Sequence, residues 1–291
     1  MKPLFIWAGG KNKMLKKYQE YLPSSFSSYH EPFCGGGAMF IWAYKKNPDA
    51  KFFLNDINSS IMSIYSSIKE DVEPFIFRVD ELSKEYLPLS KEDRKAYYFS
   101  LRHEHAYEYE KWDKTEEAAT LYFLMKTGFN GIWQINKNTN GRYGTPAGLL
   151  NQKDKVYDRE NVMLWHEALQ KCELTSFDFS ETMPKIGSGS YVFLDPPYRG
   201  CFTDYGTQSD DEFQRRVVDF FHSCSDQGAY ALLSNRKLDD GFFENLKKDA
   251  TLVDFPVTYT AGRRKKTDEG FEAKKATEVL LVTTTKSQEE G

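Results

Sequence analysis

Apolar and polar positions change period along this chain, and the changes mark its elements. The short run Tyr29–Phe33 has strand character and ends in Cys34-Gly35-Gly36-Gly37-Ala38. The apolar stretch Met39–Tyr44 behind it reads as a helix, and Lys51–Leu54 as a second strand ending at Asn55-Asp56. Strand, glycine turn, helix, strand is the opening of a doubly wound α/β unit. From about residue 57 to 171 the character changes. Ser90–Trp112 and Thr115–Lys126 are charged, aromatic-rich and helical in pattern. Between Gly128 and Gly148, five glycines, several Asn and one Pro predict irregular loops or a hairpin.

Strand signals return at Leu174–Phe179 and at Tyr191–Leu194, the latter behind Gly187-Ser188-Gly189-Ser190. Over Asp210–Asp226, Phe213, Val217, Phe220, Phe221 and Cys224 fall on one helical face, Ser209 and Glu212 suit a capping box, and Gly228 suits a stop. Ala229–Leu233 predicts a strand, Asp240–Lys248 a short helix, and Leu252–Val257 with Thr277–Thr284 closing strands. Alternating elements on both sides of an insertion predict one parallel-type sheet with helices on both faces. Residues 1–58 and 172–291 would form the α/β part and 59–171 the insertion.

A chain of 291 residues fits one large domain carrying such an insertion. Hydrophobic residues at 40% and charged residues at 28% exclude wholesale disorder. The formal charge of −4 excludes a protein that coats nucleic acid through bulk positive charge, but leaves room for a local basic groove. Cys34, Cys172, Cys201 and Cys224 lie far apart with no C-x-x-C pair, which suits a reducing compartment and predicts neither a disulfide framework nor a metal site. The N-terminal apolar run is too short for a signal peptide, and no stretch approaches the roughly 20 apolar residues of a membrane span. A soluble, cytoplasmic protein is the expectation.

The most informative feature is Asp195-Pro196-Pro197-Tyr198, directly behind a buried-looking strand. In an open α/β sheet, ligands bind beyond the carboxyl ends of the strands. Two prolines fix φ and remove two backbone donors, so the turn presents acceptors in a rigid frame. Asp195 adds a carboxylate and Tyr198 an aromatic face, which together suit a planar group bearing an amine. Alone, the tetrapeptide is as well read as a rigid turn. Three further features bear on it. Phe33-Cys34-Gly35-Gly36-Gly37 is a glycine turn open to a ligand or simply tight, and it is no dinucleotide fingerprint, because Phe40 stands where the third glycine belongs. Asp56 lies 21 residues beyond Gly35 at a strand end, the spacing of a ribose-binding carboxylate or of a plain helix N-cap. Trp7-Ala8-Gly9-Gly10-Lys11 opens a basic helix with a glycine turn, Lys11 being able to hold a carboxylate.

Taken in chain order, Trp7 to Lys11, Glu31-Pro32 with Phe33 to Gly37, Asp56-Ile57-Asn58 and Asp195 to Tyr198 resemble the Dam-type (D12 class, group alpha) DNA adenine-N6 methyltransferases. Gly128-Phe129-Asn130-Gly131-Ile132 resembles the family's DNA-contacting segment, and Asn140 to Gly148, with Pro146, its hairpin. The resemblance runs from Phe5 to about Val282. It implies a Rossmann-like methyltransferase sheet with a mainly helical DNA-recognition insertion, binding S-adenosyl-L-methionine and double-stranded DNA in a bacterial or phage-infected cell. A restriction endonuclease acting on the same site stays open as a partner. Trp7 and Lys11 would border the methionine end, Phe33 the adenine, Gly35 and Gly37 the cofactor loop, Asp56 the ribose, and Asp178 and Phe179 the cofactor adenine. Asp195, Pro196, Pro197 and Tyr198 would hold a flipped target adenine, Tyr198 through its ring rather than its hydroxyl. Phe129, Asn130, Ile132 and Gln134 would meet bases, and Arg263, Arg264, Lys265 and Lys266 phosphates, against the plainer readings of Phe129 as core and of the basic run as a solvated loop.

Members that read GATC carry basic residues where this chain has Ile6, Gln134 and Leu149, so a different adenine-containing site, or relaxed specificity, is expected. The rivals are an RNA or protein-amide methyltransferase and a catalytically inactive DNA-binding regulator on the same fold. A nicotinamide dehydrogenase fits least.

Overall fold

The computed structural model describes residues 1–7, 11, 14–200, 209–259, 265–267, 270–272 and 274–284. The main sheet is built from β1 (Ser28–Glu31), β2 (Lys51–Asn55), β3 (Cys172–Thr175), β4 (Ser190–Leu194), β5 (Tyr230–Lys237), β6 (Thr251–Tyr259) and, after a small hairpin of β7 (Lys265–Thr267) and β8 (Gly270–Glu272), β9 (Lys274–Val282). Among the described residues its order is β3-β2-β1-β4-β5-β9-β6. The first five run parallel, and β9 lies antiparallel between β5 and β6. The strand order reverses between β1 and β4, so the crevice of this α/β sheet opens where the glycine turn and Asp195 both emerge. All five residues of β4 are buried, as a central parallel strand covered on both faces requires.

Helices α1 (Leu15–Tyr18) and α2 (Ala38–Lys46) precede the insertion, whose helices are α3 (Ser59–Glu70), α4 (Val72–Tyr86), α5 (Lys91–Tyr107), α6 (Lys114–Thr127) and α7 (Arg159–Leu169). Helix α6 is buried almost all round, packed by α3, α4 and α5, and begins with a capping box between Asp113 and Glu116. Its side chains, Phe40 and Trp165 belong to one apolar cluster that reaches the sheet residues Tyr29, Phe52 and Tyr191, so the insertion shares a core with the strands. The opposite sheet face is covered by α8 (Asp211–Asp226) through Phe213, Val217, Phe220, Phe221 and Cys224, the face read from the sequence, with α9 (Phe242–Leu246) beside it.

Four details depart from the sequence pattern. The strand expected over Leu174–Phe179 ends at Thr175, because Asp178 caps a 3-10 turn over Phe179–Lys185. Helix α8 is capped by Asp210, whose carboxylate accepts from Phe213 N, while Ser209 is drawn elsewhere. The closing strands make the sheet mixed rather than parallel. Helices α3, α4 and α7 carry no element in the sequence reading. Among the described residues no helix is long and apolar enough to cross a membrane.

Candidate active site

The turn behind β4 is held from both sheet faces by two successive residues of β5. Asn235 accepts from Arg199 N (3.1 Å) and donates to Gln214 Oε1 (2.8 Å) on the α8 side. Gln214 in turn donates to the Pro197 carbonyl (2.8 Å), which Ser209 Oγ also reaches at 3.0 Å. Ser209 thus ties the motif backbone instead of capping α8, and the Tyr198 carbonyl takes a second contact from it at 3.0 Å. Arg199 lies across the Phe242 ring (4.1 Å to its centroid) with Asp211 and Asp240 as ion partners. Burying Gln214 and Asn235 completely is tolerable because each is paired.

On the other face Ser234 meets the Tyr198 hydroxyl at 2.8 Å and the Tyr18 hydroxyl at 3.0 Å. Both phenols also reach Glu278 Oε2, at 3.2 Å from Tyr198 and 3.5 Å from Tyr18. Lys11 enters the same space: its Nζ lies 2.7 Å from Asp195 Oδ1 and 4.7 Å from the centre of the Tyr198 ring. Lys11 is 3% exposed and Asp195 20%. Burial pushes the Asp195 carboxyl up to about 6; the Lys11 ammonium pulls it down and Glu278 pushes it further up. Burial likewise raises the Tyr198 phenol well above its usual range, with Asp195 adding to it. The arrangement offers a buried carboxylate, an aromatic face and one buried cation between them. Its remaining carboxylate lone pairs can accept hydrogen bonds from a planar amine.

Across the switch point, Asp56 holds Gly35 N on Oδ2 (2.8 Å) and Asn58 N on Oδ1 (2.9 Å). Burial raises its carboxyl, while these two N–H groups pull it down. The N-cap of α3 is Asn58, so the plain N-cap reading does not account for Asp56. Gly35 and Gly37 have φ of +47° and +65°. A Cβ at Gly35 would lie 2.5 Å from Trp7 Nε1, and one at Gly37 2.6 Å from Trp165, so the close approach the glycines allow is taken by tryptophan rings. Phe33 is half-buried against Phe179 and Phe213. Phe179 itself is core, whereas Asp178 pairs with Arg216 (2.8 Å). Burial pushes the Asp178 carboxyl up, but Ser180 and Arg216 together hold it below its usual range.

The remaining predicted residues fall on the insertion or outside the described residues. Phe129 is 43% exposed, which removes the reading of it as core, and Asn130 and Ile132 are exposed beside it. Phe129 N donates to the Pro146 carbonyl (2.9 Å) and Gly144 N to the Gln134 carbonyl (2.7 Å), forming the expected hairpin. Gly131 abuts Ile6, and Trp133 lies 6.1 Å from Trp7, so this edge touches the segment leading to Lys11. Arg263 and Arg264, like Ala8 to Gly10, lie outside the described residues; Lys265 and Lys266 begin β7. Sequence reasoning missed Tyr18, Gln214, Ser234, Asn235 and Glu278. A weak signal existed for three of them: Ser234-Asn235 follows the apolar Ala231–Leu233, and Glu278 opens the apolar run Val279–Val282.

Residues 7–261 match the sequence profile of the D12 class N6 adenine-specific DNA methyltransferases. The chain is 32% identical over 267 residues to the Type II methyltransferase M.MjaIII of Methanocaldococcus jannaschii, covering 85% of this chain and 90% of that one. It is 25% identical over 272 residues to the DNA adenine methylase of Escherichia coli strain K12, covering 90% and 91%. Among solved structures, a precorrin-6y C5,15-methyltransferase of Geobacter metallireducens superposes over 96% of this chain and 94% of that one at a TM-score of 0.37 with 9% identity, too loosely to argue from.

Replacing Gln214 with Leu would strip the Pro197 carbonyl and the Asn235 amide of a buried partner. It should cost about 1–3 kcal/mol of stability, read as a lowered urea midpoint at unchanged slope.

Proposed function

The chain belongs to the D12 class N6 adenine-specific DNA methyltransferases, and on that premise we propose how its own residues carry out the transfer. The observation that carries the reading is the Lys11–Asp195 contact beneath the Tyr198 ring, at the carboxyl end of β4. Residues 1–58 and 172–291 would form the catalytic unit and 59–171 the recognition unit.

The residues at the switch point fit S-adenosyl-L-methionine. Asp56 keeps lone pairs for ribose hydroxyls while its N–H partners fix its direction, Phe33 offers a half-open aromatic face, and the glycine turn with Trp7 forms the floor. When bound, this cofactor supplies an electrophilic methyl group. Asp178 and Phe179 take smaller parts: Phe179 backs Phe33 from the core, and Asp178 stands at the rim.

An adenine inside a duplex cannot reach this pocket, so the target base is flipped out. Its N6 lone pair is delocalised into the ring. Hydrogen bonds from the amine to the Asp195 carboxylate and the Pro196 carbonyl draw the nitrogen towards a pyramidal form and free that pair. Pro197 keeps the turn stiff, and Tyr198 stacks on the base. Lys11 engages Asp195 Oδ1, which leaves the carboxylate's further lone pairs to accept from the amine. Positioning and electrostatics carry the rate.

Phe129 would fill the space left by the flipped base, with Asn130, Ile132, Gln134 and Pro146 facing the neighbouring pairs. Arg263, Arg264, Lys265 and Lys266 would contact phosphates. Ile6 and Leu149, each 65% exposed, stand with Gln134 where the resemblance expects basic residues that read guanine. Arg suits guanine and Gln adenine, which supports a site other than strict GATC. A restriction endonuclease sharing that site is a natural partner.

Asp195→Ala should abolish methyl transfer while leaving a folded protein that still binds the cofactor; substantial turnover on any adenine-containing DNA would sink the assignment. The ionised carboxylate is the better acceptor, so kcat/KM should rise with pH through about 6 and then level. Lys11 favours the ionised form, so Lys11→Met should move that midpoint upward; a downward move contradicts this electrostatic reading. Restriction-protection mapping of DNA from expressing cells should return an adenine-containing site other than strict GATC, and strict GATC methylation would refute it.

A further inference from the structure

The hydroxyl of Tyr198 has a place that stacking alone does not require. It sits 2.8 Å from Ser234 Oγ and 3.2 Å from Glu278 Oε2, and Tyr18 reaches the same two atoms. Ser234 and Glu278 come from strands paired antiparallel, with Ser234 opposite Leu280 and Arg236 opposite Glu278. Side chains two apart on a strand share a face, so both project towards α1 and the motif turn. Both are buried, at 0% and 5% exposure.

We infer that Glu278 and Ser234 are positioning residues for methyl transfer, acting through the Tyr198 hydroxyl to fix the tilt of the ring against which the target adenine stacks. This rests on the proposed role of the Asp195–Tyr198 turn.

The proton count supports it. Two phenols meet at one carboxylate oxygen and share one serine hydroxyl, so Tyr198 O–H can donate to Glu278 while Ser234 O–H donates to a phenol oxygen, and neither direction conflicts with the other. A phenyl ring at this turn can swing its tip about the Cα–Cβ bond and rock. A hydroxyl held at two points pins that tip before substrate arrives, and orientation of this kind is a large part of what a site without covalent chemistry contributes. The same node holds Tyr18, four residues beyond Met14 in the segment that brings Lys11 over the Tyr198 ring. One carboxylate thus sets two walls of the pocket: the ring and the helix beside the Lys11 segment. The expectation that Tyr198 works by its ring alone is revised accordingly.

The test is a double-mutant cycle on the full chain, with adenine-containing duplex DNA and S-adenosyl-L-methionine. Y198F and E278L should each lower kcat about tenfold, with the cofactor KM little changed, because orientation rather than cofactor binding is lost. E278L should lower kcat much less in the Y198F background than in the wild type, the remainder being the loss of its contact with Tyr18. E278Q, whose amide oxygen can still accept from Tyr198, should recover most of the activity. Should E278L fail to fold, S234A run through the same cycle reads the same coupling. With 2-aminopurine at the target position, Y198F and S234A should alter the emission of the bound duplex alike. Equal losses in the Y198F and wild-type backgrounds, or unchanged kcat in a folded E278L or S234A, overturn the positioning role. A wild type that leaves adenine unmodified overturns the functional reading beneath it as well.

Discussion

A carboxylate that must accept hydrogen bonds from an incoming amine has to be shielded from water and yet remain ionised, and those demands oppose each other. Asp195 meets both through the 2.7 Å contact with Lys11 Nζ. Burial alone drives such a group towards its neutral form; a cation at this distance draws it back. The balance leaves a carboxyl pushed up to about 6, ionised around neutral pH but not by a wide margin. Glu278 shifts the balance the other way, so the group proposed to steady the Tyr198 ring also bears on the carboxyl beside it. In the proposed reaction the ammonium keeps the acceptor ionised for a substrate amine.

The rest of the fold brings this contact about. Lys11 and Asp195 are far apart in the chain and meet because the strand order reverses between β1 and β4, which opens a crevice beyond both strand ends. Successive residues of β5 point to opposite faces, so Ser234 holds the Tyr198 hydroxyl while Asn235 holds the Arg199 amide. The turn is therefore braced from above and below by one strand. The glycine turn after β1 has a related role. Its missing Cβ atoms admit Trp7 and Trp165, and Trp7 in turn approaches Trp133 of the insertion. A chain of aromatic contacts thus joins the proposed cofactor floor to the proposed DNA edge.

That edge also resolves an oddity of composition. The net charge of −4 does not suit a nucleic-acid enzyme that binds through its whole surface. Exposed side chains at Ile6, Phe129, Ile132 and Leu149 suit one that meets base edges over a small area, with phosphate attraction confined to a basic run near the last strand.

Whatever depends on neighbours along the chain could be read from the order of residues alone. The α/β alternation, the apolar face of α8, the rigid Asp-Pro-Pro-Tyr turn and the order of motifs are local or ordinal properties, and they were legible. Local rules also misplaced things where a distant partner intervened. Ser209 fits a helix cap by its spacing, yet its hydroxyl goes to Pro197 and Tyr198, leaving Asp210 to cap. Tyr18 lies 216 residues from Ser234 and 260 from Glu278, and no periodicity links them. Helices α3 and α4 became definite only against the buried α6, and α7 only against α3 and α4. Which polar groups share a low-dielectric environment is settled only once the chain is folded. Hydrogen-bond partnership and burial depend on separation in space, and pairing a sheet brings together residues that the chain keeps far apart.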